Sequence, residues 1–216
     1  MSRTLVAAAL AVAFAAAPAV AQQQPAAAAA QTGSASQLVQ ENSSRMLGTL
    51  ATRRDEFRAN PAALQAFIKS EFDQIFDKVY AARLVLGRNG RNASDAEVAA
   101  FADALAGNLM HRYGNSLIEV DAGTRIRVTG ESELRNGAVT RVTSQIDRRG
   151  GAPIPVDYLM RQDGGQWKVF DVIVEGVSFV QTFRSQFDAA LRTKSLAQLT
   201  EELRAGAVQV DADVVD

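Results

Sequence analysis

The run Gly164-Gly165-Gln166-Trp167-Lys168-Val169-Phe170-Asp171-Val172-Ile173-Val174-Glu175-Gly176-Val177-Ser178 constrains this chain more than any other stretch. Its paired glycines open a turn, and the β-branched and aromatic residues after them favour an extended strand. Alternate side chains of a strand face opposite ways. Phe170, Val172 and Val174 therefore share one face, and Trp167, Val169, Asp171, Ile173 and Glu175 share the other. One face is wholly apolar and the other is apolar with two carboxylates, so the strand is expected to be covered on both sides. Gly176 breaks the run, and Ser178 with Gln181 three residues on has the form of a capping box. The last strand of a sheet thus feeds a helix able to fold back over it.

Three more strands are expected ahead of this one, at Ser116 to Val128, Gly137 to Asp147 and Ile154 to Arg161, with Gln166 to Val174 as the fourth. Gly130, Asn136-Gly137, Gly150-Gly151 and Gly164-Gly165 are the joints. Links this short favour antiparallel neighbours, because parallel pairs need long crossovers. Thr140, Val142, Ser144 and Ile146 share a face of the second strand, and Val156, Tyr158 and Met160 a face of the third. With Phe170, Val172 and Val174 they make a broad concave apolar surface once the sheet twists. Pro153 and Pro155 start the third strand, where a missing N–H is tolerated.

Helical periodicity fills the rest. Leu38, Val39, Met46, Leu47, Leu50 and Phe57 recur at steps that put them on one side of a helix. Asn60-Pro61 caps the next helix, whose stripe is Leu64, Phe67, Ile68, Phe72, Ile75, Phe76 and Val79. Tyr80 to Gly87 is apolar nearly all round. Ser94-Asp95-Ala96-Glu97 is a capping box opening a helix with Val98, Phe101, Leu105, Leu109 and Tyr113 along one face. After the sheet come a phenylalanine-rich helix, Ser178 to Leu191, and a last helix opened by Ser195-Leu196-Ala197-Gln198. The domain therefore spans 37–206, with helices over 37–115, a sheet over 116–175 and helices over 178–205. Residues 207–216 form an acidic tail expected to fray.

The N-terminus reads as a cleavable secretory signal over 1–21. Arg3 precedes the apolar run Leu5 to Ala17, and Ala19-Val20-Ala21 has the small-x-small form of a cleavage site. Residues 22–36 are rich in Ala, Gln and Ser and contain no large apolar side chain, so a disordered leader is expected. The product is an exported, soluble domain.

Composition excludes much chemistry. The chain has 216 residues, no Cys, one His and a formal net charge of -1. Disulfides, thiolate nucleophiles and Cys or multi-His metal sites are out, and a nucleic-acid binder would carry a basic excess. His111 has no second ligand or nucleophile near it in sequence and is assigned no role. No nucleotide-binding glycine loop or hydrolase serine motif is found. Asp171 and Glu175, two strand steps apart on one face, stand about 13 Å from each other, too far for a glycosidase pair. Asp157 or Asp171 is expected to pair with Arg141 or Arg161 across strands.

Several collinear stretches resemble the MlaC (toluene-tolerance) family of periplasmic phospholipid carriers. They are Arg58-Ala59-Asn60-Pro61, Tyr80 to Gly87, Trp167 to Ser178, Arg184-Ser185-Gln186-Phe187 and Leu191-Arg192-Thr193-Lys194. Arg88-Asn89-Gly90-Arg91-Asn92 departs from it, being polar where relatives often carry an aromatic. The resemblance implies an α+β fold, a twisted antiparallel sheet of about four strands packed with a largely helical lobe as an NTF2-like cradle around an apolar cavity. It implies a monomeric, non-enzymatic carrier with no cofactor, holding phospholipid as cargo. Its partners would be an inner-membrane ABC transporter with an anchored lipid-binding subunit and an outer-membrane lipoprotein complex, the system maintaining outer-membrane lipid asymmetry. Strand parity and the helical stripes place Phe76, Tyr80, Leu84, Leu105, Leu109, Tyr113, Val142, Ile146, Val156, Tyr158, Met160, Phe170, Val172, Val174, Val177 and Val180 at the cavity. Two alternatives stand beside the carrier: an NTF2-like periplasmic enzyme using a cavity carboxylate, and an interaction domain with a filled core.

Overall fold

The computed structural model describes residues 33–208 and 210. The expected signal peptide, and the leader up to residue 32, lie outside them. The order is α1 (Ala35–Thr52), α2 (Arg54–Ala59), α3 (Pro61–Ile75), α4 (Lys78–Leu86), α5 (Asp95–Tyr113), β1 (Arg125–Leu134), β2 (Val139–Asp147), β3 (Ile154–Asp163), β4 (Gln166–Val174), β5 (Val177–Ser178), α6 (Phe179–Ala190) and α7 (Leu196–Arg204), with short 3-10 turns after α4 and α5. The fold is α+β. The sheet is a meander, each strand antiparallel to the next in chain order.

Local chemistry explains the helix starts. Ser94 and Ser195 each accept from the backbone N–H three residues on, while Glu97 and Gln198 reach back to the cap N–H. Asn60 caps α3 with Pro61 at its first position. Ser34 caps α1, so the expected leader ends two residues early: Ala35 is already helical and fully buried against the sheet.

The sheet departs from expectation at both ends. Gly114–Glu119 is a 3-10 turn, and β1 begins only at Arg125. Gly130 is no joint but lies inside β1, where the pairing shifts between Val128 and Gly130 as in a β-bulge. The β1–β2 turn falls at the other expected joint, Asn136-Gly137, together with Arg135, all at positive φ. A fifth strand also appears. Glu175 (φ 50°) and Gly176 (φ 87°) form a two-residue hairpin that pairs Val174 with Val177. Both central residues are left-handed, which suits the twist of the flanking strands.

Three apolar clusters hold the domain. One joins α4 to α7, with Phe101 and Phe187 edge to face at 5.5 Å. A second seals α1 onto the sheet through Ala35, Val39, Val142, Met160 and Val169. The third packs Leu50, Phe57, Leu64, Ile68 and Ile118. The tail does not begin to fray at 207. Val210 is fully buried in the helical cluster, and Asn108 Nδ2 donates to the carbonyls of Leu203 (2.9 Å) and Val208 (3.0 Å). Asn108→Ala leaves those carbonyls short of a partner and is expected to cost on the order of 1–3 kcal/mol. Denaturant melts would show the loss, and limited proteolysis would cut the C-terminal segment sooner. Unchanged protection of that segment would refute the clamp.

Candidate functional site: an apolar pocket between the helices and the sheet

A pocket of about 980 Å³ is lined by residues from all three clusters. Each helix contributes by its own period. Lys78, Ala81, Ala82 and Val85 line it from α4, and Ala102, Leu105, Ala106, Leu109, Met110 and Tyr113 from α5. Ile68, Phe72 and Phe76 come from α3 and its end; Phe179, Val180 and Phe183 come from α6. Met46, Gly114 and Leu117 complete the helical side. The rings are paired. Phe72 stacks on Phe76 at 4.3 Å, Phe179 on Phe183 at 5.9 Å, and Tyr80 meets Phe170 edge-on at 5.1 Å.

From the sheet come three consecutive residues, Phe170, Asp171 and Val172. A regular strand does not bring neighbours to one site, and β4 is not regular. Leu159 pairs with Asp171 while Met160 pairs with Val169, so Phe170 is the extra residue of a β-bulge. The bulge moves Val169 to the face of Val172, Tyr158 and Val142, against the alternation expected from sequence.

Of the residues expected at the cavity, Phe76, Leu105, Leu109, Tyr113, Phe170, Val172 and Val180 line the pocket. The others do not. Val142, Val156 and Met160 are buried on the sheet face, Val142 and Met160 beneath α1, which fills the space expected to be open. Tyr158 lies with them, its hydroxyl hydrogen-bonded to Ser43 and Ser144 and its pKa raised by burial. Ile146 pairs with Ile126 and Ile154 towards the sheet's end, and Val174 and Val177 flank the hairpin. Tyr80 and Leu84, four apart, sit off the α4 stripe that faces the pocket; Tyr80 carries the Arg161 guanidinium 4.5 Å from its ring centre. Sequence reasoning missed Met46, Ile68, Phe72, Val85, Met110, Phe179 and Phe183, although steps of three and four from Phe76, Val180, Leu105 and Leu109 would have found several.

Only Lys78 and Asp171 are charged among the lining residues. Asp171 is 5% exposed. Among the described residues it pairs with no arginine: Ser178 Oγ donates to it at 2.6 Å and the Val180 N–H at 3.1 Å, so it ties β4 to the start of α6. Ser178 accepts from the Gln181 N–H, one half of the expected capping box, and donates to Asp171. Arg161 pairs with Asp77 at 2.5 Å, and Arg141 lies 3.8 Å from Asp157. Burial, the largest cause, pushes the Asp171 pKa above its ordinary 3.8, against those hydrogen bonds. A carboxyl raised in the folded state adds stability below its ordinary pKa that is lost as pH rises through the folded value. The thermal stability of the native chain relative to Asp171→Asn is therefore expected to fall as pH climbs from below 3.8 through that window. A pH-independent difference would contradict this.

His111 is exposed, and no group of three or more His, Cys, Asp or Glu side chains is placed to hold a metal among the described residues. Among those residues, too, no helix is long and apolar enough to cross a membrane.

Fold and site together define an α+β protein whose meander sheet and helical lobe line an apolar pocket. The chain belongs to the MlaC protein family, whose profile matches residues 40–205. It is 26% identical over 156 residues, 72% of each chain, to the toluene tolerance protein ttg2D of Pseudomonas putida. It is 21% identical over 175 residues, 80% of this chain and 81% of the other, to the intermembrane phospholipid transport system binding protein MlaC of Haemophilus influenzae. The phospholipid-binding protein of Ralstonia solanacearum, solved in complex with a phospholipid, shares the fold at a TM-score of 0.72 and 18% identity, covering 81% of this chain and 97% of that one.

Proposed function

We propose that this chain is a periplasmic phospholipid carrier, holding acyl chains in the pocket and leaving the head group at its rim. The observation that carries the reading is the pocket itself, about 980 Å³ and walled almost wholly by hydrocarbon and aromatic rings, in a chain of this family. Each methylene removed from water contributes about 0.8 kcal/mol, so a dozen would give roughly 10 kcal/mol. A bilayer offers the lipid nearly the same gain, so transfer between membrane and protein runs close to balance. The carrier would shuttle between an inner-membrane ABC transporter with its anchored lipid-binding subunit and an outer-membrane lipoprotein complex, maintaining outer-membrane asymmetry. The export signal read over residues 1–21 supports that location.

Asp171 is the residue an enzymatic reading would use, being buried at the pocket wall. Its lone pairs, however, are engaged by Ser178 and Val180, as suits a helix cap more than a general base. Native mass spectrometry of the protein purified from a periplasmic preparation, with lipid extraction, tests the carrier. A phospholipid in near-stoichiometric amount is expected. A bare polypeptide mass, unchanged after incubation with phospholipid vesicles, would overturn the reading.

A further inference from the structure

Lys78 lines the pocket while its exposed ion-pair partner Asp103 does not, so a charge arrangement stands where the lining meets the surface, the pocket's rim. Lys78, at the start of α4, is the one cation in the lining. It is not an isolated positive charge. Its Nζ lies 2.7 Å from Asp103 on α5 and 3.0 Å from Asp73 on α3, and Lys69 holds Asp73 from the other side. The two lysines and two aspartates form a balanced chain across the three helices. The hydrogen bond to Asp103 holds the Lys78 pKa above its ordinary value, and that from Lys69 holds Asp73 below its own, so these charges persist at neutral pH. The side chain of Asp103 is 61% exposed, against 29% for Lys78. An incoming head group thus meets a largely covered cation beside an open carboxylate.

We propose that this rim selects zwitterionic aminophospholipids over anionic phospholipids, with the phosphate turned to Lys78 and the ammonium to Asp103. The proposal rests on the carrier reading and adds the cargo class. An anionic head group could use Lys78 only by facing Asp103 with nothing to offset it, whereas a phosphoethanolamine brings one charge for each. Specificity here is a difference between two affinities, and the repulsion by Asp103 contributes as much as the attraction of Lys78. Because the groups are half in water, the discrimination is modest. A few-fold enrichment, about threefold, is the scale of one exposed ion pair.

The test presents the protein with vesicles of equal phosphatidylethanolamine and phosphatidylglycerol bearing identical acyl chains. The protein is then separated and its bound lipid quantified by mass spectrometry. The native chain is expected to carry phosphatidylethanolamine enriched about threefold over the vesicle ratio, with the preference weakened at high salt. Asp103→Lys should reverse the preference, and the near-isosteric Asp103→Asn should abolish it. Lipid taken up in the vesicle ratio by all three proteins would overturn the head-group proposal and leave the carrier intact. No lipid taken up by any of them would overturn the carrier reading itself.

Discussion

A glutamate in place of Val142 is expected to leave no stably folded protein. Val142 is fully buried at the middle of β2, opposite Glu131 on one side and Tyr158 on the other. It packs with Ala35, Val39, Met160 and Val169, where α1 closes over the sheet. The substitution removes a buried aliphatic side chain and puts an unpaired carboxylate in its place. The effective cost of a buried charge is several kcal/mol after relaxation, and the lost apolar burial adds about 1.5–3 kcal/mol. Whole-domain stability is typically about 5–15 kcal/mol, so the sum removes most or all of it. Circular dichroism and size-exclusion chromatography of the purified variant give the readout. A cooperative melt within a few degrees of the native chain would mean that this face is wet and that α1 does not seal it.

That Val142 sits in the core is the point at which sequence and structure part. Strand parity put Val142, Tyr158 and Met160 on one face correctly: the register pairs Val142 with Tyr158 and Thr140 with Met160. What alternation cannot say is which element covers a face. α1 takes part of it with side chains as small as Ala35, so the stretch of expected cavity around Val142 and Met160 is solid core. Period-two reasoning also cannot foresee a bulge, because inserting one residue at Phe170 reverses the parity of everything before it in β4. The misplaced first strand has a similar cause. Leu117, Ile118 and Val120 look strand-like in a short window, yet a 3-10 turn there places Leu117 at the pocket and Ile118 in the third cluster. Helices fared better, since caps at Asn60, Ser94 and Ser195 are local hydrogen-bond chemistry that needs no tertiary partner.

Val172→Glu places the same charge two strands away and is expected to do something different. Val172 pairs with Tyr158 but is only half-buried, with the pocket beside it. A carboxylate there can be hydrated by water entering the pocket, so the fold is expected to survive with a loss of about 1–2 kcal/mol. Lipid retention is expected to vanish. An acyl chain entering the variant pocket must strip that water from an unpaired charge, a cost of several kcal/mol that lowers occupancy by more than roughly a hundredfold. Native mass spectrometry would then find a bare chain whose melting curve is still cooperative. Val172→Leu, which keeps the wall apolar, should retain the lipid. If Val172→Glu still carried phospholipid at the native amount, the pocket would not be where the acyl chains lie. If it unfolded as Val142→Glu does, the wall of β4 would belong to a closed core, and the filled-core alternative would replace the carrier.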